Sequence, residues 1–222
     1  PYASGLLGEV ALLGGDQAGA ERRFHEATER KPDWVQPWLH LATLKLSQKK
    51  RDEAQEILEQ GVRRNPNSQE LRLLLATTLG EAGNVDRAIQ EYDALLGLNP
   101  RALVAANNLA SLLADKKGDP KSLERALALS REFESKQPNP YFLDTLGWVH
   151  LKLGHGQDAV RLLKQATALA PDHPVLNYHL GAAYLKSGQP VDARVHLQKA
   201  VAAGKPFEGM DAAKALLAEV AG

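Results

Sequence analysis

Along the last third of the chain, apolar and small residues recur at helical spacing, stop, and resume. Leu180, Gly181 and Tyr184 stand at i, i+1 and i+4, Gly188 and Pro190 interrupt, and Ala193, Leu197 and Ala200 follow at i, i+4 and i+7. Positions three to four apart share one face of an α-helix, so the pattern predicts helix, tight turn, helix. Pro190 suits the first turn of the second helix, where its missing N–H costs nothing. The same phrase is written upstream. A Leu with a small residue after it, an Ala twelve places on and a Pro twelve further stand at Leu7-Gly8, Ala20 and Pro32, at Leu41-Ala42, Ala54 and Pro66, and at Leu75-Ala76, Ala88 and Pro100. Matching positions are 34 residues apart. A fixed period of this length marks a solenoid in which each unit is one helix pair stacked on the next.

The register continues with one disturbance. The Ala recurs at Ala126, Ala159 and Ala193, after gaps of 38, 33 and 34, and the Leu-small pair recurs at Leu109-Ala110, Leu146-Gly147 and Leu180-Gly181. The insertion therefore falls between Ala110 and Ala126, in the polar stretch Asp115–Ser122, which reads as a longer turn. One residue is lost again within Gln137-Pro138-Asn139-Pro140. Six units result, 1–34, 35–68, 69–102, 103–139, 140–173 and 174–207, in one array over residues 1–222, with an amphipathic capping helix expected over 208–221. There Met210, Ala213, Leu217 and Val220 face one way and Glu208, Asp211, Lys214 and Glu219 the other. Gly15, Gly83, Gly154 and Gly188 mark turns needing positive φ. Asp33 and Asp172 are candidate N-caps. The small residues Gly8, Ala42, Ala76, Ala110, Gly147 and Gly181 are expected to make room for the Ala series of the paired helix.

The run Leu-Gly-x-x-Tyr-x-x-x-Gly-x-x-x-x-Ala-x-x-x-Leu-x-x-Ala from Leu180 to Ala200 resembles the tetratricopeptide repeat (TPR) consensus, and the resemblance extends over all six units. It departs where Lys45 and Ala11 replace an aromatic and where Gly61 and Phe133 replace an Ala. The resemblance implies an all-α, right-handed TPR solenoid of helix-turn-helix repeats whose inner, concave face holds a peptide or protein segment. A narrower likeness lies in Asn107–Lys116, in Leu143-Asp144-Thr145-Leu146-Gly147-Trp148, and in Phe207 with Ala213 and Leu216-Leu217. These phrases are similar to bacterial TPR lipoproteins of exosortase (PEP-CTERM) and exopolysaccharide export systems, and such phrases also occur in other bacterial TPR proteins that assemble pili or the envelope; the resemblance favours a periplasmic or outer-membrane-attached protein and leaves a cytoplasmic one open.

Composition narrows the classes. Twenty-seven basic residues balance twenty-seven acidic ones, which gives neither a nucleic-acid footprint nor a patch for anionic membranes. No apolar run reaches the length of a membrane span. Without Cys there is no disulfide or thiolate chemistry. The seven His residues show no zinc-ligand spacing, and no phosphate loop or nucleophile elbow is present, so neither a cofactor nor an enzymatic activity is expected. The first helix, Ser4–Leu13, is apolar on more than one face. A terminal repeat needs a polar outer face, so either further sequence or self-association through this N-terminal repeat is expected to cover it.

Within each first helix, positions four, seven, eight and eleven form the core face, and positions two, five, six, nine, twelve and thirteen lie opposite. On that second face, which the TPR resemblance turns toward the groove, stand Asn107, Asn108, Ser111 and Asp115, then Tyr141, Asp144, Thr145, Trp148 and Lys152, then Tyr178, His179 and Lys186. Units two and three offer the plainer Leu39, His40, Thr43, Leu73 and Thr77. Trp148 either anchors a bound segment or packs on a neighbouring first helix. Asn107 and Asn108 either hydrogen-bond a peptide backbone or are ordinary surface amides. Asp144 stands where a carboxylate-clamping member carries a cation, which points to a neutral or mildly basic partner. The function expected is a protein-interaction scaffold in bacterial envelope assembly or export. The alternatives are the substrate-recruiting portion of a larger enzyme, such as a glycosyltransferase, or a self-associating scaffold.

Overall fold

The computed structural model describes residues 2–136, 139–204 and 206–220. It is all-helical among those residues and forms two compact units, residues 1–105 and 106–222. The first unit contains three helix pairs, α1 (Tyr2–Leu13) with α2 (Gln17–Arg30), α3 (Val35–Ser47) with α4 (Arg51–Arg64), and α5 (Gln69–Glu81) with α6 (Val85–Leu98). α7 (Leu103–Leu112) begins at the end of this unit and runs into the second. The second continues with α8 (Pro120–Ser130), α9 (Phe133–Lys136), α10 (Pro140–Lys152), α11 (Gly156–Leu169), α12 (Pro174–Lys186), α13 (Pro190–Ala202) and α14 (Met210–Glu219). Most helices pack chiefly on their chain neighbours, as a helix-pair stack requires.

The turn inside each regular pair is the same device. Asp16, Lys50, Asn84, His155 and Gln189 each donate a backbone N–H to the carbonyl five residues back, at 2.8–2.9 Å. That closure needs a left-handed residue just before the donor. Gly15, Gly83, Gly154 and Gly188 supply it at φ +73° to +84°, and Lys49 supplies it at φ +62° despite its side chain. Pro120, Pro140, Pro174 and Pro190 open their helices. Asp33 and Asp172 are not the caps expected of them. Trp34 and His173 hold the N-cap positions of α3 and α12 without a side-chain bond. Ser68, Asp119 and Asn139 do cap, each accepting backbone N–H groups of the first turn.

The small residues work differently from the expectation. A Cβ added at Gly8 would meet Phe24 Cε1 at 2.6 Å, one at Gly147 would meet Leu163 Cγ at 2.7 Å, and one at Gly181 would meet Leu197 Cγ at 2.7 Å. Each Gly thus makes room for the large side chain one turn beyond the repeated Ala. The Ala residues themselves are wholly buried.

The insertion does not form a loop. α7 runs into a π-helical turn, Leu113–Lys117, which Gly118 ends at φ +66°. Asp119 then caps α8, so that Pro120, Lys121 and Ser122 form an added first turn of the second helix. Further on, this helix breaks at Arg131-Glu132 and restarts as α9. The lost residue is assigned to Gln137–Pro140, of which Gln137 and Pro138 lie outside the described residues. The capping helix starts at Met210, two residues later than expected, after Gly209 at φ +96°; residue 221, its expected end, also lies outside them. It buries Ala213 and packs on α13 and α12.

Candidate functional site

The residues singled out on α7, α10 and α12 all lie in the second unit, and several form one bonded cluster. Trp148, halfway along α10, is only 8% exposed. Its ring stacks on His179 of α12 with centroids 3.9 Å apart and planes within 18°. Its Nε1–H donates to Asp115 Oδ1 at 2.7 Å, which ties α10 to the π turn. His179 Nδ1 lies 2.9 Å from both carboxylate oxygens of Asp144, so that Nδ1 carries the proton it donates. Tyr178 tilts against both rings, at 5.7 Å from Trp148 and 5.1 Å from His179, and meets Phe207 at 6.3 Å. Burial, with the Asp115 carboxylate adding to it, pushes the Tyr178 phenol above its ordinary range. The phenol therefore stays neutral.

Trp148 packs on a neighbouring first helix, α12. The sequence pattern placed Asp144, Thr145, Trp148 and Tyr178 on the free face, yet all four are buried, because successive first helices cover one another there. Accessible beside this floor are Asp115, Lys152 and Lys186, with Asn107, Asn108 and Ser111 half-buried; Tyr141 is also exposed. The Lys152 ammonium lies 4.8 Å from the centre of the Trp148 ring, a cation–π contact that also holds the charge near the surface. Lys186 Nζ donates to the Leu151 carbonyl at 3.2 Å. Ser111 Oγ is 3.3 Å from Asp115 Oδ2. Asn107 Nδ2 lies 3.4 Å from Asn108 Oδ1, and Asn107 Oδ1 is buried with no partner. Tyr141 stands apart, edge-on to His173 at 5.4 Å.

Two connections went unread in the sequence. Asp115 to Trp148 spans 33 residues and Asp144 to His179 spans 35. Separations close to one repeat period join side chains on neighbouring first helices, at adjacent positions for Asp144 and His179 and one helical turn out of step for Asp115 and Trp148, and scanning pairs near that spacing would have found both. Lys116 and Glu208 pair at 2.7 Å across 92 residues, which no periodic signal marks. No group of three or more metal-ligating side chains occurs among the described residues, and none of their helices is long and apolar enough to cross a membrane.

The comparisons with known proteins follow the same divisions. The tetratricopeptide repeat profile matches residues 11–76, 46–114 and 150–220, which together cover well over half of the chain. This protein belongs to the tetratricopeptide repeat family. The unmatched internal stretch, 115–149, contains the end of the π turn and the α8–α9 break, the two places where the TPR pattern is irregular. A curated relative, the TPR repeat-containing protein PA4667 of Pseudomonas aeruginosa, is 28% identical over 179 residues; the match covers 78% of this chain and 29% of that protein. The chain thus spans under a third of that relative's length. Among solved structures, a tetratricopeptide repeat protein from Parabacteroides merdae superposes with a TM-score of 0.79 at 15% identity, over 99% of this chain and 86% of that one. PilW, described as a widely conserved type IV pilus biogenesis factor, gives 0.72 at 18% identity, over 95% and 96%. These likenesses establish the TPR solenoid fold.

Proposed function

We propose that this TPR protein is an interaction scaffold that holds an extended segment of a partner protein across the accessible faces of α7, α10 and α12. The observation that carries the reading is the fixed aromatic floor of Trp148, His179 and Tyr178, rimmed by polar groups with bonding capacity to spare. Rings locked by stacking and by two carboxylates lose no rotamer freedom when a ligand arrives, so contacts made on them cost less entropy. Asn107, Asn108 and Ser111 offer amide and hydroxyl groups to a peptide backbone, and Asp115 favours a neutral or basic segment over an acidic one. The setting that fits is bacterial envelope assembly or export, in the periplasm or at the outer membrane. Two supports bear on this setting, the envelope-type phrases in the C-terminal half and the fold shared with a pilus biogenesis factor.

Site-directed photocrosslinking tests the reading. A benzophenone side chain at position 108 or 152 is expected to trap one partner segment in bacterial cells, while the same group at position 165 on α11 traps none. Equal trapping from all three positions, or none from 108 and 152, would overturn it.

A further inference from the structure

A cleft lies beside the break in the second helix of the fourth repeat, comparable in volume to clefts of about 420 and 580 Å³ beside regular repeats. Phe133 stands where three other units carry Ala27, Ala166 and Ala200 and one carries Gly61. A phenyl ring does not fit a close helix crossing built for a methyl group. Leu95 at the equivalent place is tolerated within a continuous α6, whereas the flat Phe133 ring is buried to 2% exposure against Phe142, at 5.0 Å, after a break in the helix. Beside that break lies a cavity of about 460 Å³ within the second unit. Leu127, Ala128, Leu146 and Leu162 supply its apolar lining, and Arg131 and His150 are among its polar groups.

The charges around the cleft are not equivalent. Glu134 and Asp158 both engage Arg161, so that guanidinium is already neutralised. Glu124 lies two helical turns from Arg131 along α8, about 10 Å away. Arg131, at the break itself, forms no ion pair among the described residues. His150 Nδ1 is 3.2 Å from His155 Nδ1, which leaves Nε2 as the ring's remaining polar atom. Burial holds this imidazole below its ordinary range, and it therefore acts as a hydrogen-bonding group and not a second cation. An apolar wall, one unpaired guanidinium and one neutral imidazole make a set complementary to a molecule with an apolar body and an anionic end.

We propose that the cleft between α8, α9, α10 and α11 is a second binding site, separate from the α7–α10–α12 face, and that it takes a small amphiphilic acid with its anionic group on Arg131. The probe is 8-anilinonaphthalene-1-sulfonate, which has this chemistry, paired with the uncharged N-phenyl-1-naphthylamine. The sulfonate is expected to bind saturably at one site per chain. Ala128→Trp, which fills the mouth of the cleft from an exposed position, should weaken both probes at least tenfold. Arg131→Gln should weaken the sulfonate several-fold and leave the uncharged probe within twofold. Methyl NMR on the wild-type chain gives a check that needs no variant, since the sulfonate should shift Leu127, Leu146 and Leu162 before other methyl groups. Unchanged affinity in a folded Ala128→Trp, or first shifts on the exposed apolar side chains of α1, would overturn the proposal. So would equal losses of the two probes in Arg131→Gln.

Discussion

Each unit of the molecule joins neighbouring helices through polar side chains at a buried place, and the two joints are made of different chemistry. In the first unit, Lys45 occupies the position at which the last repeat carries Tyr184. It is 5% exposed, and its ammonium reaches Glu21 of α2 at 2.7 Å and Glu53 of α4 at 2.6 Å. In the second, Trp148 and His179 stack between Asp115 and Asp144. The repeat decides where a side chain goes, but the chemistry of that side chain decides what the joint responds to. A charged joint answers to pH and to loss of its counter-ions, while a stacked joint answers to loss of volume and shape.

The sharpest break of this contrast is Trp148→Ala. It removes a buried indole, its stack and its bond to Asp115, and is expected to cost about 3–5 kcal/mol in chemical denaturation. Lys45→Ala is expected to cost about 1–3 kcal/mol, less than a fully buried ion would, because both carboxylates keep access to water. Lys45→Met keeps the stem and removes the charge, and should lie within about 1 kcal/mol of wild type at neutral pH, since a well-packed apolar replacement of a buried ion is often near neutral. If Lys45→Met is as costly as Lys45→Ala, the charge matters more to the joint than its packing.

pH sharpens the contrast further. The Glu21 and Glu53 hydrogen bonds hold the Lys45 ammonium above its usual value of 10.5. Its contribution is therefore whole below about that pH and fades as pH rises through the folded value. The bond from Lys45, with that from Lys50, holds Glu53 below its usual 4.5, so its share is whole above that pH and fades as pH falls through the folded value. The stability difference between wild type and Lys45→Met is expected to stay level between about pH 6 and 9 and to drift in favour of the variant at both extremes. A difference that stays flat into strong acid and base would remove the charged joint from the account. The smallest effect belongs to Lys49, which among the described residues is the one at positive φ that is not Gly. Lys49→Gly is expected to stabilise by a few tenths up to about 1 kcal/mol in thermal denaturation, by relieving the left-handed strain.

The regular parts of this fold were legible because periodicity repeats the same physical problem in each unit. Leu-small pairs, turn glycines and helix-opening prolines each answer one local demand, so they read correctly at Gly83, Gly154 and Gly188 and at Pro190. The α10 surface was less legible. Angular position on a single helix separates the core face from its opposite, but it does not register that a neighbouring first helix covers part of that opposite face. Trp148, Asp144 and Tyr178 are buried for this reason. The candidate caps Asp33 and Asp172 failed on a difference of one residue in where the helix starts, which hydrophobic spacing does not resolve. The irregular fourth repeat was located by counting, yet its form was not, since a polar stretch with Gly and Pro serves a loop, a π turn or a helix N-terminus equally well.

The π turn at Leu113–Lys117 also changes how the chain tolerates lengthening. A turn closed five residues back absorbs surplus backbone inside the helical hydrogen-bond ladder, and the repeats after it resume their spacing as though nothing had been added. It works as a phase shifter within the fourth repeat, ahead of the fifth. A further residue or two inserted beside Gly118 should be taken up there without moving the Trp148–His179 stack, which makes this the place in the array where length can vary while register is kept.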